Sequence, residues 1–138
     1  MNFLITGHSE FAIGMQSALT MIAGEIEDVM IIPFLTNETT EEYRQKIESS
    51  IEMYEQVICF TDLLGGTPFK TCVEFSKTKK QVFVISGTNI AMLLEGLMMR
   101  NSGIEPVELA KSVVKVGKSN IVLFEKNNEV EELSEDGI

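Results

Sequence analysis

The chain is poor in the residues that build metal and disulfide frameworks, with two cysteines and a single histidine among 138 residues. Cys59 and Cys72 lie inside apolar stretches without paired spacing, which supports neither a disulfide framework nor a zinc cluster. A metal site would have to be assembled from one imidazole and carboxylates, so none is expected. Positive charge is scarce too: 11 Lys and Arg face 21 Asp and Glu, a formal net charge of −10. Nucleic acid and anionic membrane surfaces both demand a basic face, so neither is an expected partner. The apolar runs fall short of the roughly 18 residues a membrane helix needs, each broken by Gly, Pro or charge. No secretory leader is legible, and together these absences point to a soluble protein of a reducing, cytoplasmic compartment.

What is present suits one folded domain, since 44% of the residues are hydrophobic and the length is that of a typical single unit. Apolar, β-rich stretches are expected as strands at Asn2–Thr6, Val29–Phe34, Gln56–Thr61 and Gln81–Ser86. Between them run helical patterns at Glu10–Ala23, Thr40–Tyr54 and Thr67–Ser76, followed by Asn89–Arg100 and Glu105–Val116, then a last apolar stretch, Asn120–Phe124. Near-continuous apolar strands joined by helical crossovers mean an α/β fold: an open, mainly parallel, doubly wound sheet with helices on both faces. Right-handed crossovers favour the strand order 2-1-3-4. The folded unit is expected to span residues 1–126, with 127–138 as an acidic, solvated tail.

In that order the first and third strands are neighbours where the winding reverses, and open α/β sheets bind ligands beyond the carboxyl ends of such strands. The sole imidazole, His8, and Asp62 of "TDLLGGTPF" then face each other across one crevice. Ser9 follows His8 directly and "GHSEFAIG" is not a nucleophile elbow, which excludes a serine triad. The remaining role is histidine as the nucleophile, since an imidazole with an ordinary pKa of about 6.5 keeps one nitrogen lone pair free near neutral pH. A carboxylate that accepts the proton of the other ring nitrogen sets the tautomer, and Asp62 is the candidate. Two helix starts converge here, and helix N-termini attract phosphate through unpaired amides and the dipole. Ser9 is expected as an N-cap, a phosphate donor or both; Gly65 and Gly66 expose backbone N–H groups; Thr67 serves as N-cap or hydroxyl donor ahead of Pro68 at the first helical position. Ser86, Thr88 and Asn89 either line the crevice or act as loop and cap residues, and Met92, Met98 and Met99 either fill the core or form a docking patch. No Walker-type lysine motif is present, so no nucleotide and no other cofactor is expected.

Three stretches, "TGHSEFAIGM", "TDLLGGTPFK" and "SGTNIAMLLEGLMMR", each at the carboxyl end of an expected strand, resemble the IIA component of the mannose/fructose/sorbose-type bacterial sugar phosphotransferase system over nearly the whole of residues 1–126. The resemblance implies that His8 accepts a phosphoryl group from the histidine-containing phosphocarrier protein HPr. It then passes the group to a IIB component on a separate chain, which serves a IIC/IID membrane permease during sugar uptake. It also implies Asp62 as the orienting carboxylate, Thr67 as a donor to the phosphoryl group, no metal or nucleotide, and a homodimer in which Asn120–Phe124 of each subunit joins the other's sheet. Many members carry glycine directly after the active histidine, where this chain has Ser9. A regulatory phosphohistidine module that reports the state of such a system without transporting sugar is the second class the residues allow. A ligand-binding flavodoxin-like domain is the third.

Overall fold

The computed structural model describes residues 1–126, so the acidic tail expected at 127–138 lies outside the described residues. Nine elements follow one another: β1 Asn2–His8, α1 Phe11–Ala23, β2 Val29–Phe34, α2 Thr40–Ile51, β3 Val57–Phe60, α3 Thr67–Ser76, β4 Val82–Ile85, α4 Ile90–Met99 and α5 Pro106–Ser119. The four strands form one parallel sheet in the order β2-β1-β3-β4, as the crossover rule requires. Among the described residues no helix is long and apolar enough to cross a membrane.

Alternation along the strands builds two cores. Phe3, Ile5, Ile58, Phe60 and Ile85 point to one face, where they bury Leu19 of α1, Leu93 of α4 and Leu109 and Val113 of α5. Leu4, Ile32, Val57, Cys59 and Val82 point to the other, against Tyr43, Ile47 and Ile51 of α2 and Cys72 and Phe75 of α3. Helix α2 starts on a full capping box: Thr39 Oγ1 accepts from the Glu42 N–H, and the Glu42 carboxylate accepts from the Thr39 N–H, both at 3.1 Å. The second core holds one polar chain, in which the Tyr43 hydroxyl donates to Thr6 Oγ1 at 2.6 Å and Thr6 in turn donates to the Ile32 carbonyl at 2.6 Å. This leaves no buried side-chain donor unpaired among the described residues.

The boundaries depart from the sequence expectation at two places that matter. Strand β1 continues through Gly7 and His8, which pair with Pro33 and Phe34 of β2, so the histidine ends a strand instead of sitting in the loop after it. Glycine reads as a stop in isolation, but β2 offers partners that far. Helix α5 runs on to Ser119, with Glu105 as its cap. Residues 121–124 form no strand within this chain; a strand needs a neighbour to hydrogen-bond, and these four side chains are 64% to 77% exposed.

Helix α4 lies close over the sheet because position 96 carries no side chain: a Cβ there would stand 2.9 Å from Phe3 Cε2 and 3.5 Å from Val113 Cγ1. Gly96→Val is expected to destabilise the fold by about 1–3 kcal/mol through overpacking, despite the better helix propensity of valine over glycine. Urea unfolding checks this, and an unchanged midpoint would contradict the close approach.

Candidate active site

The ladder between β1 and β3 ends at the pair Ile5 and Phe60, while β1 itself runs three residues further. The Asp62 carboxylate occupies the place β3 has left. Its Oδ2 accepts the backbone N–H of His8 at 2.8 Å and also meets Nδ1 of the same residue at 2.7 Å. Its Oδ1 accepts the Leu63 N–H at 2.8 Å. An ionised carboxylate only accepts, so Nδ1 carries the ring proton and Nε2 keeps a lone pair. Burial pushes the Asp62 carboxyl upward, but the hydrogen bonds from the His8 backbone, the His8 ring and the Leu63 N–H outweigh it and hold the pKa below its ordinary value. The His8 side chain is 46% exposed and that of Asp62 14%, so the ring is open to an incoming molecule while its partner is shielded.

Close packing fixes the ring further. A Cβ at Gly7 would lie 2.5 Å from Phe11 Cδ1 and 3.0 Å from Asp62 Cγ, so only glycine lets the carboxylate reach the strand. A Cβ at Gly66 would lie 2.8 Å from Cε1 of His8 and 3.6 Å from Nε2, which places Nε2 over the entrance to α3. Phe34 of β2 meets the imidazole edge-on, with ring centroids 6.0 Å apart. The chain enters α3 through Gly65, whose φ of +80° needs glycine, and Gly66 is the cap. The Gly66 N–H is engaged by the Leu63 carbonyl at 3.0 Å, so Gly66 contributes room and Thr67 and Phe69 offer the first amides of the helix. The positive end of α3 therefore lies beside the free ring nitrogen.

The structure gathers His8, Asp62, Gly65, Gly66 and Thr67 at one sheet edge and revises the parts assigned to their neighbours. Ser9 does not cap α1: the cap is Glu10, without a side-chain bond, and Ser9 sits in the left-handed region at φ 52° while its N–H donates to the Phe34 carbonyl at 2.7 Å. The chain must reverse from a strand into a helix within two residues, and that turn leaves Ser9 no capping geometry. Thr67 does not cap α3 either; it is the first helical residue and Pro68 the second. Thr88 and Asn89 turn away from the crevice. The Thr88 hydroxyl donates to the Thr61 carbonyl at 2.7 Å, and Asn89 caps α4 through the Met92 N–H at 3.1 Å while its Nδ2 donates to the Gly117 carbonyl at 2.9 Å. Ser86 is half-buried at the end of β4. Met92 is core and Met99 packs against it, leaving Met98 exposed. Gly7, Phe34 and the Leu63 N–H were not singled out in the sequence. Only Gly7 carried a signal, a glycine directly before the sole histidine at a strand end.

The family described as PTS system fructose IIA component, PTS being the phosphotransferase system, matches residues 2–114. The fructose-specific EIIA component of Bacillus subtilis is 31% identical over 101 residues, spanning 70% of this chain and 68% of that protein. The sorbose-specific EIIA component of Lacticaseibacillus casei is 32% identical over 104 residues, spanning 74% and 75%. The crystal structure of phosphotransferase system component EIIA from Streptococcus agalactiae shares the fold with a TM-score of 0.85 at 31% identity, over 89% of this chain and 96% of that one. The mannose/sorbose specific IIA subunit from Enterococcus faecalis gives 0.82 at 25% identity, over 92% and 96%. A four-stranded sheet of this order, matched along most of its length to these proteins, places the chain in the family of IIA components of the sugar phosphotransferase system.

Proposed function

We propose that the chain is a phosphoryl carrier of sugar uptake, working in the cytoplasm as the unit of residues 1–126. His8 takes the group from HPr and hands it to a IIB component on a separate chain, which serves a IIC/IID permease. The observation that carries this reading is the double engagement of Asp62 Oδ2 by the backbone and ring N–H groups of His8, with Nε2 left over the start of α3. The Nε2 lone pair attacks the phosphorus of the phosphohistidine on HPr, whose other ring nitrogen carries a proton, the P–N bond to that histidine breaks with its electron pair returning to the donor nitrogen, and the donor ring leaves as a neutral imidazole. The positive charge formed on the His8 ring is balanced by Asp62 through Nδ1–H, with no proton gained or lost. The Thr67 and Phe69 amides, the hydroxyls of Thr67 and Ser9, and the dipole of α3 receive the phosphoryl oxygens. Transfer to IIB repeats the step with His8 as the leaving ring, so positioning and electrostatics suffice.

A protein, not a small molecule, is the natural visitor to so open a site. Leu35, at 46% exposure, follows β2, and Leu63 and Leu64, at 61% and 71%, lie in the loop that carries Asp62; all three rim the His8 edge of the sheet. We also read the chain as a homodimer. Among the described residues β4 is an unpaired sheet edge, and a groove of about 330 Å³ runs between Phe83 and Ile85 of that strand and Val107, Ala110 and Val114 of α5. The exposed stretch Ile121–Phe124 supplies a strand that a second copy can add there.

Incubation with phosphoenolpyruvate, the general phosphotransferase enzyme and HPr is expected to place one acid-labile phosphate on each chain, and none on His8→Ala; equal labelling of the two would overturn the reading. Asp62→Asn is expected to slow labelling by about 10²–10⁴-fold, because an amide has one acceptor oxygen for three donors and favours the tautomer that protonates Nε2. The lowered Asp62 pKa also sets a sign for stability. Folding favours the carboxylate, so its contribution is complete above the ordinary value of 3.8 and fades as pH falls through the lower folded value. The difference in urea midpoint between wild type and Asp62→Asn, measured first at about pH 5, should therefore shrink below that point. Leu123→Asp is expected to yield monomers in sedimentation, and an unchanged dimer would remove the exchanged strand.

A further inference from the structure

Asp62 is held from behind by a part of the chain that never reaches the crevice. The ladder between β3 and β4 ends at the pair Phe60 and Ile85. Beyond it, five hydrogen bonds tie residues 61 and 62 to residues 85–88. The N–H and hydroxyl of Thr61 both donate to the Ile85 carbonyl at 2.8 Å. The N–H and hydroxyl of Thr88 both donate to the Thr61 carbonyl, at 3.1 and 2.7 Å. The Gly87 N–H donates to the Asp62 carbonyl at 3.1 Å, from a residue whose φ of +70° suits only glycine without strain. Thr61 and Thr88 are buried, at 0% and 7% exposure, so water offers no easy substitute for these bonds.

We propose that Thr88 is a positioning residue for His8. Its hydroxyl fixes the Thr61 carbonyl while the Gly87 N–H holds the Asp62 carbonyl, so the two peptides that flank Asp62 are each gripped by their carbonyl, and the carboxylate is kept at hydrogen-bond distance from both N–H groups of His8. Thr61 fills the step between: its own hydroxyl bonds back to β4, so the peptide cannot rotate to follow a shifted carboxylate. Asn89, next in line, anchors the same turn to α5 through the Gly117 carbonyl at 2.9 Å. The loop after β4 thus acts on the imidazole through Asp62, at one remove. Loss of the Thr88 hydroxyl leaves the buried Thr61 carbonyl with one donor instead of two, and allows Asp62 to drift from Nδ1. A displacement well below 1 Å is enough to weaken a charge-assisted bond of 2.7 Å and release the tautomer.

The inference rests on the carrier reading only for its effect on transfer; its effect on the ring is independent of it. The test uses the full chain, unphosphorylated, with ¹⁵N-labelled imidazole, comparing wild type, Thr88→Val and Thr88→Ser. Thr88→Val, nearly the same shape without the hydroxyl, is expected to shift the ring toward the Nε2–H tautomer and slow phosphoryl labelling about tenfold. Thr88→Ser, which keeps the hydroxyl, is expected to stay within about twofold of wild type in rate and to keep the wild-type tautomer. A Thr88→Val ring with the wild-type tautomer, or a Thr88→Ser protein as impaired as Thr88→Val, overturns the proposal. Should Thr88→Val not fold, Gly87→Ala tests the same clamp by straining the Gly87 N–H away from Asp62, and a wild-type ring spectrum there is equally fatal. An unlabelled wild type with the tautomer shift intact would overturn the carrier reading and leave the positioning role standing.

Discussion

One carboxylate oxygen, Oδ2 of Asp62, accepts two N–H groups of a single residue, the backbone and the ring of His8. The two bonds constrain different things. The first continues the hydrogen bonding of β1 past the point where β3 stops, so the carboxylate substitutes for a missing strand. The second sets the ring tautomer and its direction. Gly7 is required because the carboxylate passes within contact of the strand, and Gly66 because the ring then lies on the backbone that enters α3. The order β2-β1-β3-β4 brings the two residues together, since only adjacent strands deliver their carboxyl ends to the same place.

The same arrangement accounts for how open the site is. On the reading we propose, one nitrogen is presented to two different proteins in turn, and a ring with that task cannot sit in a closed cavity. Here the rigid sheet takes over the work that a pocket would do: His8 is the last residue of a strand, and Asp62, more shielded than the ring, is tied by its backbone to the turn after β4. The helix dipole of α3 and its first amides favour an anion at Nε2 without enclosing it. Ser9 shows the cost of ending the strand so abruptly, because a residue with a Cβ is held in the left-handed region where glycine would be unstrained.

Most of the fold was legible because its signals are local and repeat. Strands such as Val57–Phe60 are apolar at every position, as a strand covered on both faces must be, and α2 is legible in the helical pattern over Thr40–Tyr54. The pairing of His8 with Asp62 was legible one level up, from strand order alone. Less legible were the ends of elements. The last two residues of β1 are strand only because β2 reaches alongside them, and Thr67 lost its capping role to Gly66 by a shift of one residue. Thr88 and Asn89 read as crevice or cap residues with equal ease, because nothing in a sequence says which way a polar side chain on a tight turn will face. Gly7, Phe34 and the Leu63 amide contribute through closeness and backbone, which leave little trace in residue type.

By itself, then, the amino-acid sequence determined the class of fold, the strand order and the identity of the two groups that face each other, since periodicity, handedness and a single histidine leave few alternatives. Tertiary structure alone decided that His8 closes a strand, that its ring proton sits on Nδ1, that Gly66 gives room in place of an amide, and that the turn after β4 grips Asp62 from behind. The physical reason is one of range. Propensity and patterning act over a few neighbouring residues, whereas hydrogen bonds such as Thr88 to Thr61 and His8 to Asp62 join residues 27 and 54 positions apart and exist only once the sheet has brought them together.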